Sequence, residues 1–208
     1  MEHLPAKLQF STYTTMIAGI LASAILFTHA PQMGAAQLTG EESGIQWMPI
    51  QDVSAVVEKN MKKKKSKDDK LIFIDFYTDW CGWCKKLDKD TYVNPEVIEI
   101  MDRYFYAVKF DAEQEEPVEF GGQTYAFKGK NGRGTNEFAL NMATRPNGGI
   151  GYPTITILDA KGNKIAVEAG YKNPAQMVPM LLYYGEGHYK TKDYNTFLQE
   201  YNQKQPGD

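Results

Sequence analysis

The chain has 208 residues, a formal net charge of −3, and is 42% hydrophobic and 24% charged. That is the composition of a globular domain, which excludes a disordered chain, a collagen-like fibre and a polytopic membrane protein. The mildly acidic balance gives no electrostatic reason to expect nucleic acid. Two cysteines are too few for a multi-disulfide scaffold, a four-cysteine zinc site or an iron–sulfur cluster.

From Leu8 to Gly40 there is no Asp, Glu, Lys or Arg, and Met16 to Phe27 is an unbroken run of apolar and small residues. A run of about 12 residues is short for a membrane span, which needs about 20, but it suits the core of a secretory signal. Gly34-Ala35-Ala36 offers a cleavage site before Gln37. Residues 1–36 therefore read as a signal peptide, with an uncleaved anchor over Phe10 to Ala30 as the alternative. Either reading puts the remainder, residues 37–208, outside the cytoplasm, in the periplasm or cell envelope. The membrane is a partner only if the leader is retained.

Within that remainder, Val53, Val56, Val57 and Met61 stand at helical spacing over Asp52 to Met61. The charge run Lys62 to Lys70 follows and reads as a solvated loop. Leu71 to Tyr77 is continuously apolar but for Asp75, the pattern of a strand buried on both faces. A helix around Glu96 to Tyr104 and a strand over Tyr106 to Asp111 complete a βαβ unit, so the two strands should be parallel. Residues 112–150 read as an insertion on the rim of the sheet: a hairpin from Val118 to Phe127 turning at Gly121-Gly122, then a helix from Thr135 to Ala143 capped by Thr135. Thr154 to Leu158 and Lys164 to Ala169 form a second hairpin through Asp159 to Asn163. Two helices end the chain. The second, Lys192 to Asn202, places Tyr194, Phe197, Leu198 and Tyr201 on one core-facing side within a C-terminal extension over residues 186–208.

Chemistry concentrates at Cys81-Gly82-Trp83-Cys84, where the first strand turns into a helix. Cys81 falls at the helix N-terminus, where unpaired N–H groups and the positive end of the dipole lower a thiol pKa. Cys84, about one turn later, can reach the same sulfur and close a small disulfide ring. One sulfur exposed and reactive and the other shielded and resolving is the minimum machinery of thiol–disulfide exchange. A haem attachment would need His after the second cysteine, and position 85 is Lys. A zinc site lacks ligands, since His188 is the one histidine beyond the leader. A purely structural disulfide closing so short a loop would add little stability.

The segment Ile74 to Lys85 resembles the signature of the thioredoxin family, and Gly151-Tyr152-Pro153-Thr154 resembles its second signature. The similarity runs roughly from Asp52 to Leu182, with exported thioredoxin-like proteins of the bacterial envelope as the nearest likeness, including the soluble terminal domain of the thiol-reducing membrane transporter. The resemblance implies an α/β thioredoxin fold: a mixed central sheet flanked by helices, with a hairpin-plus-helix insertion before the cis-proline strand. It implies a redox-active Cys81–Cys84 disulfide, with Cys81 as nucleophile and Cys84 as resolving thiol. Pro153 would be cis and position substrate together with Trp80, Trp83 and Tyr152, and Trp80 would also shield the site. Asp75 matches the family's buried aspartate and would relay a proton. Lys109 matches the lysine that neighbours and supports it. The burial of a carboxylate in an apolar strand independently raises its pKa and suits it to that task. Cofactors are expected to be none, and the expected partners are disulfide-containing envelope proteins and a membrane electron donor.

Two departures stand out. Trp83 replaces the proline common in reducing thioredoxins, and the 112–150 connection is longer than usual. The residues between the cysteines tune thiolate stability, so the motif leaves the redox direction open. An oxidoreductase, a binding or chaperone module with an incidental dithiol, and a dedicated electron-relay partner of a membrane reductase all fit the sequence.

Overall fold

The computed structural model describes residues 44–63 and 70–204. The leader with its cleavage site, and residues 64–69 of the charge run, lie outside the described residues. A helix over Ile50–Met61 (α1) leads into the strand Leu71–Tyr77 (β1), which is followed by helices Gly82–Asp90 (α2) and Pro95–Tyr104 (α3) and the strand Phe105–Asp111 (β2). Four short strands come next: Val118–Phe120 (β3), Gln123–Tyr125 (β4), Phe127–Lys130 (β5) and Arg133–Asn136 (β6), and then the helix Glu137–Ala143 (α4). Strands Thr154–Leu158 (β7) and Lys164–Ala169 (β8) and helices Pro174–Gly185 (α5) and Tyr194–Lys204 (α6) complete the chain.

The central sheet has the order β2-β1-β7-β8. β1 and β2 run parallel in direct register, Asp75 opposite Lys109, whereas β7 is antiparallel to both β1 and β8. The sheet is therefore mixed, as the fold class requires. A single parallel bridge from Trp47 to Ala107 extends its β2 edge.

Strand alternation divides the core into two layers. Phe73, Phe105, Ala107, Ile155 and Ile157 point to one face, where Leu87 of α2, Val97 and Met101 of α3 and Met177 and Leu181 of α5 cover them. Ile72, Ile74, Phe76, Val108, Phe110 and Leu158 point to the other, beneath Val53 and Val57 of α1 and Phe138 of α4. By the same alternation Asp75 shares the face of Phe73. The caps are written in the sequence. Asn94 accepts from the amides of Glu96 and Val97 with Pro95 in the first turn, and Asn173 with Gln176 forms a capping box on α5.

Several expectations change. Met61 is largely exposed, and Asn60 is buried in its stead, donating its amide to the carbonyl of Ala160. Residues 112–150 hold two hairpins where one was expected, β3–β4 and β5–β6. Thr135 lies in β6, and the cap of α4 is Asn136, whose side chain accepts from the amide of Phe138 while donating to the carbonyls of Gln114 and Glu116. The insertion is also no rim appendage. Phe138 is fully buried, with ring centroids 5.8 Å from Phe76 and 5.0 Å from Phe110, and Phe120 and Tyr125 close around it. The last helix starts after Lys192 because Asp193 accepts from the amide and hydroxyl of Thr196. Of its apolar face, Phe197 is buried and Tyr194 and Tyr201 pack partly against it.

Candidate active site

The site forms where β1 hands over to α2. The amide of Cys81 donates to the carbonyl of Thr78, and Cys81 in extended conformation is the N-cap of α2. Its Sγ accepts from the amide of Cys84 at 3.0 Å. Cys81 and Cys84 are joined as a disulfide, with Cα atoms 5.3 Å apart. The sulfur of Cys81 thus occupies the place of a capping oxygen, where helix amides and the dipole stabilise a negative charge. The expected contrast in exposure is not there in this oxidised state. Cys81 is 4% exposed and Cys84 2%, because the closed ring turns the Cys81 sulfur back onto the first turn of α2.

Asp75 is 1% exposed, and neither carboxylate oxygen has a hydrogen-bond partner at full geometry. Burial pushes its pKa up to about 7, against an opposing pull from the Lys109 cation; the Asp88 carboxylate raises it further and the Tyr92 hydroxyl lowers it. Lys109 is indeed the neighbour of Asp75 across the β1–β2 register, yet its Nζ is ion-paired with Asp88 of α2. The ammonium also lies over three rings, 5.2 Å from the centroid of Tyr77, 5.7 Å from Trp47 and 6.0 Å from Tyr92.

Two aromatic pairs flank the disulfide. Trp80 is 68% exposed; its indole N–H donates to the Glu113 carboxylate and its ring meets Tyr152 edge-on at 6.0 Å. Trp83, 58% exposed, leans on Tyr171 at 5.5 Å, and Tyr171 in turn donates to Asp90. The Tyr152–Pro153 peptide is cis, and the Pro153 carbonyl accepts from the amide of Gly170.

A profile of the thioredoxin-like domain matches residues 57–185. The chain belongs to the thioredoxin-like domain family. The matched span holds the disulfide, Asp75, Lys109 and Pro153. The thiol:disulfide interchange protein DsbD of Vibrio vulnificus is 25% identical over 172 residues, 80% of this chain. The chain spans about a quarter of the length of the curated relatives it matches. Among solved structures, a thioredoxin-fold protein from Helicobacter pylori is 21% identical, with a TM-score of 0.49 over 74% of this chain and 94% of that one. The C-terminal domain of Neisseria meningitidis DsbD in the reduced form is 19% identical, with a TM-score of 0.39 over 65% and 96%. The matched thioredoxin-like domain carries the Cys81–Cys84 pair as a disulfide at the start of a helix.

Trp47, Asp88, Tyr92, Glu113 and Tyr171 join the site without having been picked out in the sequence. Asp88 carried a signal: four residues after Cys84 on one helix, it must share that face. Among the described residues no group of three or more His, Cys, Asp or Glu side chains could hold a metal ion.

Proposed function

We propose that the protein exchanges disulfides of envelope proteins through its Cys81–Cys84 dithiol. The observation that carries this reading is the sulfur of Cys81 standing as N-cap of α2 and bonded to Cys84 within the first turn. In the reduced protein, the Cys81 thiolate attacks one sulfur of a client disulfide. A Cys81–client mixed disulfide forms and the other client sulfur leaves as a thiolate. Asp75 as carboxylate takes the proton of Cys84, and the Cys84 thiolate attacks Cys81 Sγ. The ring closes and the second client thiolate leaves, two electrons having passed to the client. Pro153 and Tyr152 orient the client backbone, with Trp80 and Trp83 as apolar walls beside it, and Lys109 limits the rise in the pKa of Asp75. A separate dithiol donor reduces the ring again.

A second reading makes the protein a relay with one dedicated membrane donor, favoured by its likeness to part of the DsbD thiol:disulfide interchange protein. Export rests on the leader, and protein from fractionated cells should begin near Gln37. An intact Met1 in the cytosolic fraction would contradict it. Among the described residues no helix is long and apolar enough to cross a membrane.

Insulin reduction by the purified protein with a dithiol donor tests the enzyme reading. Turnover should vanish in both Cys81→Ser and Cys84→Ser. Parent protein that leaves the insulin disulfides intact while still binding unfolded clients would favour a binding module instead.

A further inference from the structure

Tyr92 follows α2 and stands on the sheet face that Asp75 shares with Phe73. Its amide donates to the carbonyl of Leu87, and its ring is wedged edge-on against Phe73 at 6.2 Å and Trp47 at 5.0 Å. The side chain is therefore fixed by packing. Its hydroxyl is nonetheless buried without a partner at full hydrogen-bond geometry, like both oxygens of Asp75. A phenylalanine would pack in this pocket without burying an unsatisfied group, so the oxygen calls for a use. The unsatisfied donor and the unsatisfied acceptor on this face are each other's natural partners.

We propose that Tyr92 is a positioning residue for Asp75, donating its hydroxyl proton to the Asp75 carboxylate whenever that group is charged. This rests on the assignment of Asp75 as the base that takes the proton of Cys84. The proton that moves is the thiol's, from Cys84 Sγ to Asp75; Tyr92 keeps its own throughout, and no electrons pass through it. A carboxylate ready to accept must be ionised first, and a hydrogen bond to the charged form favours ionisation. The reciprocal shifts agree with this contact: the hydroxyl draws the Asp75 pKa down, while burial foremost and then Asp75 push the phenol well above its ordinary range.

The other charged or titratable groups facing Asp75 are accounted for. From β2 comes Lys109, held by Asp88 of α2 and by three rings. Tyr77 lies two residues along its own strand, and the β7 residue opposite Asp75 is Ile155, which does not titrate. The Tyr92 hydroxyl, on the face of Asp75, is buried with no other partner among the described residues.

The test is Tyr92→Phe, which deletes one oxygen from a packed ring. Two readouts are followed from about pH 5 to about pH 9: the Asp75 carboxyl titration by carbon NMR, and the rate at which Cys84 resolves a preformed mixed disulfide on Cys81. Loss of the hydroxyl should move the Asp75 titration upward by about one unit, slow resolution roughly tenfold below the midpoint, and restore the parent rate at high pH. A fluorinated tyrosine at 92, a stronger donor, should move the titration the opposite way. An Asp75 that titrates at the same pH in parent and Tyr92→Phe overturns the proposal, whatever the rates. Asp75→Asn separates the two claims: if it keeps the parent pH profile, Asp75 is not the base, whereas a lost profile alongside an unmoved Tyr92→Phe titration removes Tyr92 alone.

Discussion

The ammonium of Lys109 is paired with the carboxylate of Asp88, although its register partner on the neighbouring strand is Asp75. This arrangement decides what Asp75 can do. A direct ion pair would hold a carboxylate ionised at any ordinary pH and leave it a weak base. With Lys109 committed to Asp88, burial dominates and the group titrates at about 7. A base poised near the working pH combines a useful ionised fraction with real proton affinity.

Asp75 should set the pH dependence of both stability and exchange. Its folded pKa is raised from 3.8 to about 7, so the folded protein binds the extra proton between those values. Stability from this group is thus intact below about pH 4 and falls as pH rises towards 7, by a few kcal/mol at most. Asp75→Asn should raise the urea midpoint of the oxidised protein at pH 8 and change it little at pH 4. The same variant should slow resolution of a mixed disulfide at neutral pH by about 100-fold, the lower end for a general base. Parent-like resolution would remove Asp75 from the mechanism.

Asp88→Asn and Lys109→Met should move the Asp75 titration in opposite directions. Removing Asp88 takes away a neighbouring negative charge and frees Lys109, so the midpoint of the resolving step falls. Removing Lys109 takes away the cation that lowers the Asp75 pKa and leaves Asp88 unpaired, so the midpoint rises. Stopped-flow rates across the pH range check this, and shifts of the same sign would contradict the assignment of the pair.

Phe138→Ala should show that the insertion is part of the core. The ring is fully buried among Phe76, Phe110, Phe120 and Tyr125. Its loss should cost about 3–5 kcal/mol in urea unfolding, with one cooperative transition. A separate early transition, with the sheet at parent stability, would mean that residues 112–150 fold apart from it.

How legible these features were depended on the range of the forces behind them. Leu71 to Tyr77 could be read as a doubly buried strand because burial on both faces leaves a continuous apolar run. Cys81 and Cys84 were legible because the disulfide is a local matter of three residues and a helix start. The β5–β6 hairpin was missed since β5 is mostly exposed and neither strand carries an alternating pattern. Its Asn131-Gly132 turn, both residues at positive φ, was the available clue. The placing of Tyr92 on the face of Asp75 arises from segments apart in the chain folding together, which periodicity does not record.

The central claim is that Cys81 attacks and Cys84 resolves, and trapping tests it most directly. Cys84→Ser and Cys81→Ser proteins are reduced, incubated with envelope extract, quenched with acid and run on non-reducing gels. Cys84→Ser should accumulate mixed disulfides through Cys81, whose thiolate is stabilised at the N-cap of α2. Cys81→Ser should trap almost nothing, since Cys84 lies inside the helix rather than at its capping position. Equal trapping by the two variants, or trapping by Cys81→Ser alone, would contradict the account.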